Sequence, residues 1–381
     1  MTKSNKIIIG VIIVVIIIGG IWYGVSRKPT EEVIKIGAIF PLTGDAVVYG
    51  VPLQRAAELA VAEINERGGI NGKSLEIIWE DGKCNGKDAA TAASKLINVD
   101  KVKIILGGVC SGETLGAASI VEANKVIMFS SSATGPQITE AGDFIFRNSP
   151  SDLTQGKILA EAAWDLGYKK IVVIQEITDY ALGFREAFEE SFTALGGEVT
   201  TETFTTDTTD VRTQLTKLKQ AKGDALLVSV QTLPKAEIVV KQIGELDMNL
   251  HLLVIDIAID YQKILDQYPD IIEGAIGAKV ALPDPELFEE KVGSKYREKY
   301  GEEPTLPEYM ALTYDAVFIL KEAIEYSISE VGEIDTIKVR DYLYAIENRK
   351  GVGGVLTMDE NGDPVAGHIL KQVKDGKVIN Y

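Results

Sequence analysis

The sequence predicts an α/β protein of two doubly wound parallel-sheet lobes, preceded by one N-terminal transmembrane helix. Three observations carry this reading. Short apolar runs such as KIILGG and VIMFSS stop abruptly at glycine-rich or hydroxyl-rich strings, as strands buried on both faces of a parallel sheet do. Segments of about three helical turns lie between such runs, the alternation that βαβ units require. The alternation passes through two consecutive series within 381 residues. A single core stops growing near ~250 to 300 residues, so two lobes are expected.

Taken in order, residues 7–25 (IIIGVIIVVIIIGGIWYGV) are 19 residues without a charge, enough at about 1.5 Å per residue to cross a hydrocarbon core of about 30 Å. A cleaved signal peptide has a shorter apolar stretch and a small-x-small site, and a lipoprotein signal ends in cysteine, whereas neither cysteine here precedes position 84. The segment therefore reads as an uncleaved anchor, with cleavage near Gly24 as the alternative. Lys3 and Lys6 on one side balance Arg27 and Lys28 on the other, so the positive-inside count does not orient it.

A polar linker, residues 26–32, leads into VIKIGAIFPLTG, a first buried strand ending in a turn. The helical spacing of GVPLQRAAELAVAEINERGGING stops at Gly68-Gly69. LEIIWED, KIILGG and VIMFSS follow as strands, separated by the helices DAATAASKLIN and TLGAASIVEAN. A second series opens after FIFRNSPSD, with helices at 154–165 and 181–195 flanking the strand KKIVVIQE. It continues as strand EVTTETF, helix VRTQLTKLKQ, strand ALLVSV, helix PKAEIVVKQIGEL, and the strands HLLVID and GAIGAKVAL. From Pro283 the chain turns helical over 286–300, 307–327 and 337–347. The tail (GVLTM, HILKQV, KVIN) reads as strands with tight Asn361-Gly362 and Asp375-Gly376 turns, returning to finish the sheets. DENGD, residues 359–363, lacks the alternating acids and terminal Glu of a calcium loop and reads as a hairpin turn.

Composition and motifs exclude several functions. With 39 Lys+Arg against 56 Asp+Glu, a net charge of −17, the chain lacks the clustered positive charge that nucleic acid requires. No Walker string occurs, and GAIFPLTG at the first βα turn is not G-x-G-x-x-G. His251 and His368 are the only histidines, and neither has ligand-spaced partners, so no metal and no cofactor are expected.

Cys110 has two readings. Gly108-Val109-Cys110-Ser111-Gly112 has the layout of a nucleophile elbow with a thiol, and a thiol hydrolase would add His368 and Asp256. Cys84 and Cys110 also both follow strand C-termini on one edge of a parallel sheet, where they either pair or stay as two buried thiols. Pairing would place the body outside the cytosol, and a bridged Cys110 cannot attack anything.

Ser111 lies at one strand-to-helix junction, and Ser132 with Thr134 at another. A helix N-terminus carries about half a positive charge and unpaired N–H donors. These residues are therefore expected to seat the carboxylate of a small ligand. Asp256, at the end of HLLVID, can face a cleft from the second series, although a turn cap would suit it equally. Tyr49 and Tyr180 follow strand ends in the loops.

Several strings together resemble the type I periplasmic binding proteins of the Leu/Ile/Val-binding branch, which deliver ligands to ABC transporters. They are IKIGAIFPLTGDAVVYG, AVAEINERGGINGKSLEIIWEDGKC, GGVCSGETLGAA, SSSATGPQIT, DYALGFREAF and LTYDAV, and the likeness covers residues 34–381. It implies two lobes joined by three crossovers: 33–150 with 283–365 as lobe I and 151–282 with 366–381 as lobe II, after an anchor and linker at 1–32. It implies a disulfide between Cys84 and Cys110, and carboxylate-binding hydroxyls at Ser111 and Thr134. The carbonyl of Ser132 and the acid Asp256 would take the ligand ammonium. Tyr49, Tyr180 and Tyr309 would form aromatic walls, and Ala133 and Thr232 complete the expected site. The sequence departs from the family in carrying Asp256 where its well-known members have Glu, and Val230-Gln231-Thr232 where they have Gly-Gly-Tyr.

The expected protein is a monomeric, non-enzymatic solute-binding protein on the outer side of the cell membrane. It would capture a small amino acid, branched-chain or otherwise apolar, and hand it to ABC permease subunits. The alternatives are a ligand-sensing ectodomain that binds an amide or small carboxylate, and the Cys110 hydrolase.

Overall fold

The structure is a computed structural model and describes residues 33–381. The expected anchor lies outside the described residues. Among those described, no helix is long and apolar enough to cross a membrane.

The first sheet holds β1 (Val33–Phe40), β2 (Ser74–Asp81), β3 (Ile104–Gly107), β4 (Ile127–Ser130) and β5 (Ile145–Arg147) in the order β2-β1-β3-β4-β5, all parallel. β3 and β4 are buried along their whole length, which is why their sequences are continuous apolar runs. Helices Val47–Glu66, Gly86–Asn98 and Ser111–Ala123 link these strands. Asn85 starts the second of them by accepting the Asp88 N–H at 3.0 Å.

The second sheet holds β6 (Lys170–Glu176), β7 (Glu198–Phe204), β8 (Ala225–Ser229), β9 (His251–Val254) and β10 (Ile276–Val280), all parallel. After β10 the chain runs back through helix Pro307–Val331 and forms a separate hairpin, β11 (Arg349–Gly351) with β12 (Gly354–Leu356). It then returns as β13 (His368–Lys374) and β14 (Lys377–Asn380), which add antiparallel to β10 and complete the order β14-β13-β10-β9-β8-β6-β7. Asp375 and Gly376, with φ of 51° and 69°, make the tight turn between the last two strands.

Each sheet has its own core. The first gathers β1, β3, β4 and helix Val47–Glu66 with Met310, Ala311, Val317, Ile319 and Leu320 from helix Pro307–Val331. The second gathers β6, β8, β9 and β10 with Val373 from the tail. The chain thus passes between lobes after β5, after β10 and before β13.

The structure corrects local expectations. Only the second sheet is finished by the tail, since β11 and β12 pair with each other alone. Asn361-Gly362 turns between an isolated bridge, Met358 to Pro364, rather than between two strands. The helix expected at 286–300 is divided into Pro285–Phe288, a π-turn at Glu289–Gly293, and Ser294–Tyr300. Strand β5 and the short helices Asp256–Ile259, Gln262–Gln267 and Pro269–Ile272 were not anticipated. None is long enough to show a period.

Candidate functional site

Between the lobes lies a crevice with about 470 Å³ of empty space, a figure that includes its open mouth. The first lobe lines it with Tyr49, Leu53, Val109, Cys110, Ser111, Ser132, Thr134, Leu306 and Tyr309, and the second with Tyr180, Gln231 and Asp256. Ala133 and Thr232, expected at the site, are not in its wall. The Ala133 N–H bonds to Ser130 Oγ at 3.0 Å and its carbonyl accepts from Ser149 Oγ at 3.2 Å. Thr232 heads helix Leu233–Glu245 with its hydroxyl buried and unpartnered, and its neighbour Gln231 faces the crevice instead.

The first-lobe wall is built at the ends of β3 and β4. At Gly107, φ is +118° and a Cβ would come within 2.4 Å of the Ile39 carbonyl oxygen, so only glycine fits this strand end. Cys84 and Cys110 form a disulfide, and no cysteine among the described residues is free. That overturns the hydrolase reading, because Cys110 has no thiolate. His368, its supposed base, pairs with Thr154 Oγ1 at 2.8 Å.

The buried Glu113 carboxylate holds the disulfide loop, accepting N–H groups from Cys84 at 2.9 Å, Val109 at 2.9 Å and Cys110 at 3.0 Å. Burial pushes its pKa up to about 7 against the lowering effect of those bonds. In the sequence this residue reads only as a helix-start acid.

The hydroxyls divide their roles. Ser111 Oγ accepts from the Gly135 N–H at 3.0 Å, which leaves its own proton to donate towards the crevice. Ser130 Oγ donates to the Gly108 carbonyl at 2.7 Å, and Ser132 Oγ donates to the Val109 carbonyl at 2.9 Å. Thr134 Oγ1 donates to Asp152 Oδ2 at 2.9 Å, so towards the crevice it presents lone pairs.

Asp152 is fully buried, with Oδ1 unpartnered. Burial first, and then the negative charge of Asp256, raises its pKa well above the carboxylate range. Sequence reasoning missed Asp152, whose context, SPSD, is that of any helix start. Beneath this wall lies Arg147, fully buried. It makes paired bonds to Asp363 at 2.6 Å each and donates to the Gly135 carbonyl at 2.9 Å and to Thr139 Oγ1 at 2.8 Å. The DENGD turn therefore contributes the counter-ion that fixes the loop after β4.

The second-lobe wall centres on Asp256, which opens helix Asp256–Ile259. Tyr180 Oη donates to its Oδ1 at 2.7 Å, and Tyr309 Oη to its Oδ2. Burial, reinforced by the Asp256 charge, pushes the ionisation of both phenols well up, so they remain donors. Tyr49 and Tyr180 lie in the first turns of helices Val47–Glu66 and Asp179–Ala194, not in loops as expected. Both helices begin earlier than their apolar spacing implied; Thr178 caps the second by accepting the Ala181 N–H at 3.2 Å.

Several bonds cross between lobes. Tyr49 Oη donates to the Gln231 carbonyl at 3.1 Å and accepts the Leu233 N–H at 2.9 Å. Gln231 Nε2 donates to Cys84 Sγ at 3.1 Å. Lys279, on β10, pairs with Glu308 at 2.9 Å. Burial would lower the lysine pKa, but Glu308 and Asp260 outweigh it and hold the ammonium charged.

Two α/β lobes, with a hydroxyl donor on one wall of the crevice and an acid on the other, define a protein that holds a small solute between domains. A model of the periplasmic binding protein family matches residues 33–377, and the chain belongs to that family, whose members bind solutes rather than transform them. It is 29% identical over 349 residues to the leucine-, isoleucine-, valine-, threonine-, and alanine-binding protein of Pseudomonas aeruginosa, covering 89% of each chain. Among solved structures it is similar to the leucine-binding protein LivK of Thermotoga maritima, with TM-score 0.80, 29% identity, and coverage of 91% of this chain and 97% of that one. LivJ of Streptococcus pneumoniae, in complex with isoleucine, gives TM-score 0.78 at 28% identity, covering 91% of this chain and 98% of that one.

Proposed function

We propose that this protein captures a small α-amino acid by closing two lobes upon it and delivers it to the permease of an ABC importer. The observation that carries the reading is the opposition of Ser111, a free hydroxyl donor, to Asp256, a buried acid with both oxygens in hydrogen bonds from tyrosine. A carboxylate and an ammonium cannot both be dehydrated without partners of opposite kind, and these walls supply one each. The ligands for which these relatives are named or with which they were solved, leucine, isoleucine, valine, threonine and alanine, support a guest of aliphatic size.

In this reading residues 33–150 with 283–365 form one lobe and 151–282 with 366–381 the other. Residues 7–25 tether a monomer to the cell membrane with its body outside the cytosol, where the Cys84–Cys110 bridge is stable. The test is a thermal-shift screen of the full chain in mild detergent against the L-amino acids. A small L-amino acid should raise the midpoint as RT ln(1 + [L]/Kd) requires. Indifference to every amino acid, with a shift from a simple carboxylate instead, overturns the reading.

A further inference from the structure

The polar groups of the crevice are almost all accounted for. The phenols of Tyr180 and Tyr309 serve Asp256, that of Tyr49 both donates and accepts, and the Ser132 hydroxyl is held by Val109. Gln231 is different. One end of its side-chain amide rests on Cys84 Sγ, and the other end, Oε1, has no hydrogen bond among the described residues. The residue cannot swing away with its main chain. Its N–H donates to Glu176 at 2.7 Å and its carbonyl accepts from Tyr49, while the residue is only 8% exposed. The same crevice wall includes the apolar side chains of Leu53, Val109 and Leu306.

We propose that Gln231 is a specificity-determining residue that makes the crevice prefer small amino acids whose side chain bears an uncharged hydrogen-bond donor, a hydroxyl or a carboxamide, over aliphatic ones of the same shape. The inference rests on the amino-acid reading above and deepens it. When a guest fills the crevice, water leaves Oε1. A purely aliphatic side chain then strands a buried acceptor, whereas a hydroxyl or amide N–H satisfies it. Discrimination arises because the polar group belongs to the site and is left unpaired by the wrong guest. An anionic side chain would be buried there beside Glu176 and Asp256 without a counter-ion, which excludes it.

Threonine and valine have nearly the same shape and differ in this one group, so they form the probe pair. Titration calorimetry on the full chain in detergent should show threonine binding roughly tenfold or more tighter than valine. Gln231→Leu should reverse the preference, while its unliganded melting midpoint reports that it has folded. Valine binding as tightly as threonine to the unaltered protein overturns the proposal without any variant. A threonine-to-valine ratio unchanged in folded Gln231→Leu overturns it as well. Failure of the underlying reading looks different: neither ligand, nor any other amino acid, binds at all.

Discussion

The two walls of the crevice are held in opposite ways. The first-lobe wall is fixed from within its own lobe and by the crossover beside it: Glu113 gathers three backbone N–H groups, Ser130 ties Gly108 to Ala133, and Arg147 pins the loop after β4 to Asp363. The second-lobe wall is held largely by the other lobe. Asp256 is gripped partly by Tyr309, and Gln231 is held by Tyr49 and the Cys84 sulfur. One half of the site is thus held mainly by its own lobe, and the other half mainly by its partner lobe. Binding energy supplied by a ligand therefore competes mainly with the freedom of the second half.

The comparison can be broken outright by removing one charged-end partner from each wall. Ser111→Ala with Asp256→Asn should weaken amino-acid binding roughly a thousandfold, since each charge-assisted bond is worth ~1.5 to 3 kcal/mol. Calorimetric titration checks it, and the unliganded melting midpoint reports that the variant has folded. Next in size is the first wall's covalent brace. The bridge spans a sequence separation of 26, and Cys84→Ser with Cys110→Ser should cost about 3.5 kcal/mol of unfolding free energy by the loop-entropy relation. Urea denaturation measures that loss.

Glu113 gives the first wall a pH signature. Its pKa rises on folding from 4.5 to about 7, so between these values the native state binds more protons than the unfolded one. Stability on its account is complete below about pH 4.5 and declines as pH rises through 7. At ~1.4 kcal/mol for each tenfold change in proton affinity this amounts to roughly 3 kcal/mol. Glu113→Gln should flatten the stability profile across that window by this amount relative to the unaltered protein. An unchanged profile would mean the carboxylate is not strained by burial.

The smallest effect tests the second wall. Tyr309→Phe removes one cross-lobe bond and should weaken ligand binding by about threefold to tenfold, in keeping with ~0.5 to 1.5 kcal/mol for a single hydrogen bond. Stopped-flow kinetics should assign the loss to faster release. A change confined to the association rate would argue that Tyr309 does not latch the closed form.

What the sequence disclosed follows the same division. Strands β3 and β4 were legible because burial on both faces leaves them apolar up to the terminal Ser130, and Ser111 and Thr134 because hydroxyls at strand ends precede helix starts. Asp256 was legible from its strand and from the resemblance together. Glu113, Asp152 and Arg147 were not, because their partners are backbone atoms or lie far along the chain. Arg147 and Asp363 are 216 residues apart, and no local pattern encodes such a pair. Tyr309 was legible only through the resemblance, because its helix supports the first lobe although it follows the whole parallel part of the second. Gln231 stands out in the sequence only as a departure from the family, and the expected site residue is its neighbour Thr232, a displacement by one residue where strand β8 gives way to a helix.

The antiparallel pair β13–β14 covers the edge of β10 and follows every other strand in the order of the chain. As the polypeptide emerges from its N-terminus, all five strands of the first sheet are available long before residues 368–380 exist. Until those residues arrive, β10 presents an uncovered edge able to pair with a foreign strand. Truncations or stalled chains lacking this stretch should therefore be recognised by chaperones through the second lobe while the first is already compact. The second lobe is thus the one whose sheet is sealed last, after residues 283–365 have completed the core of the first.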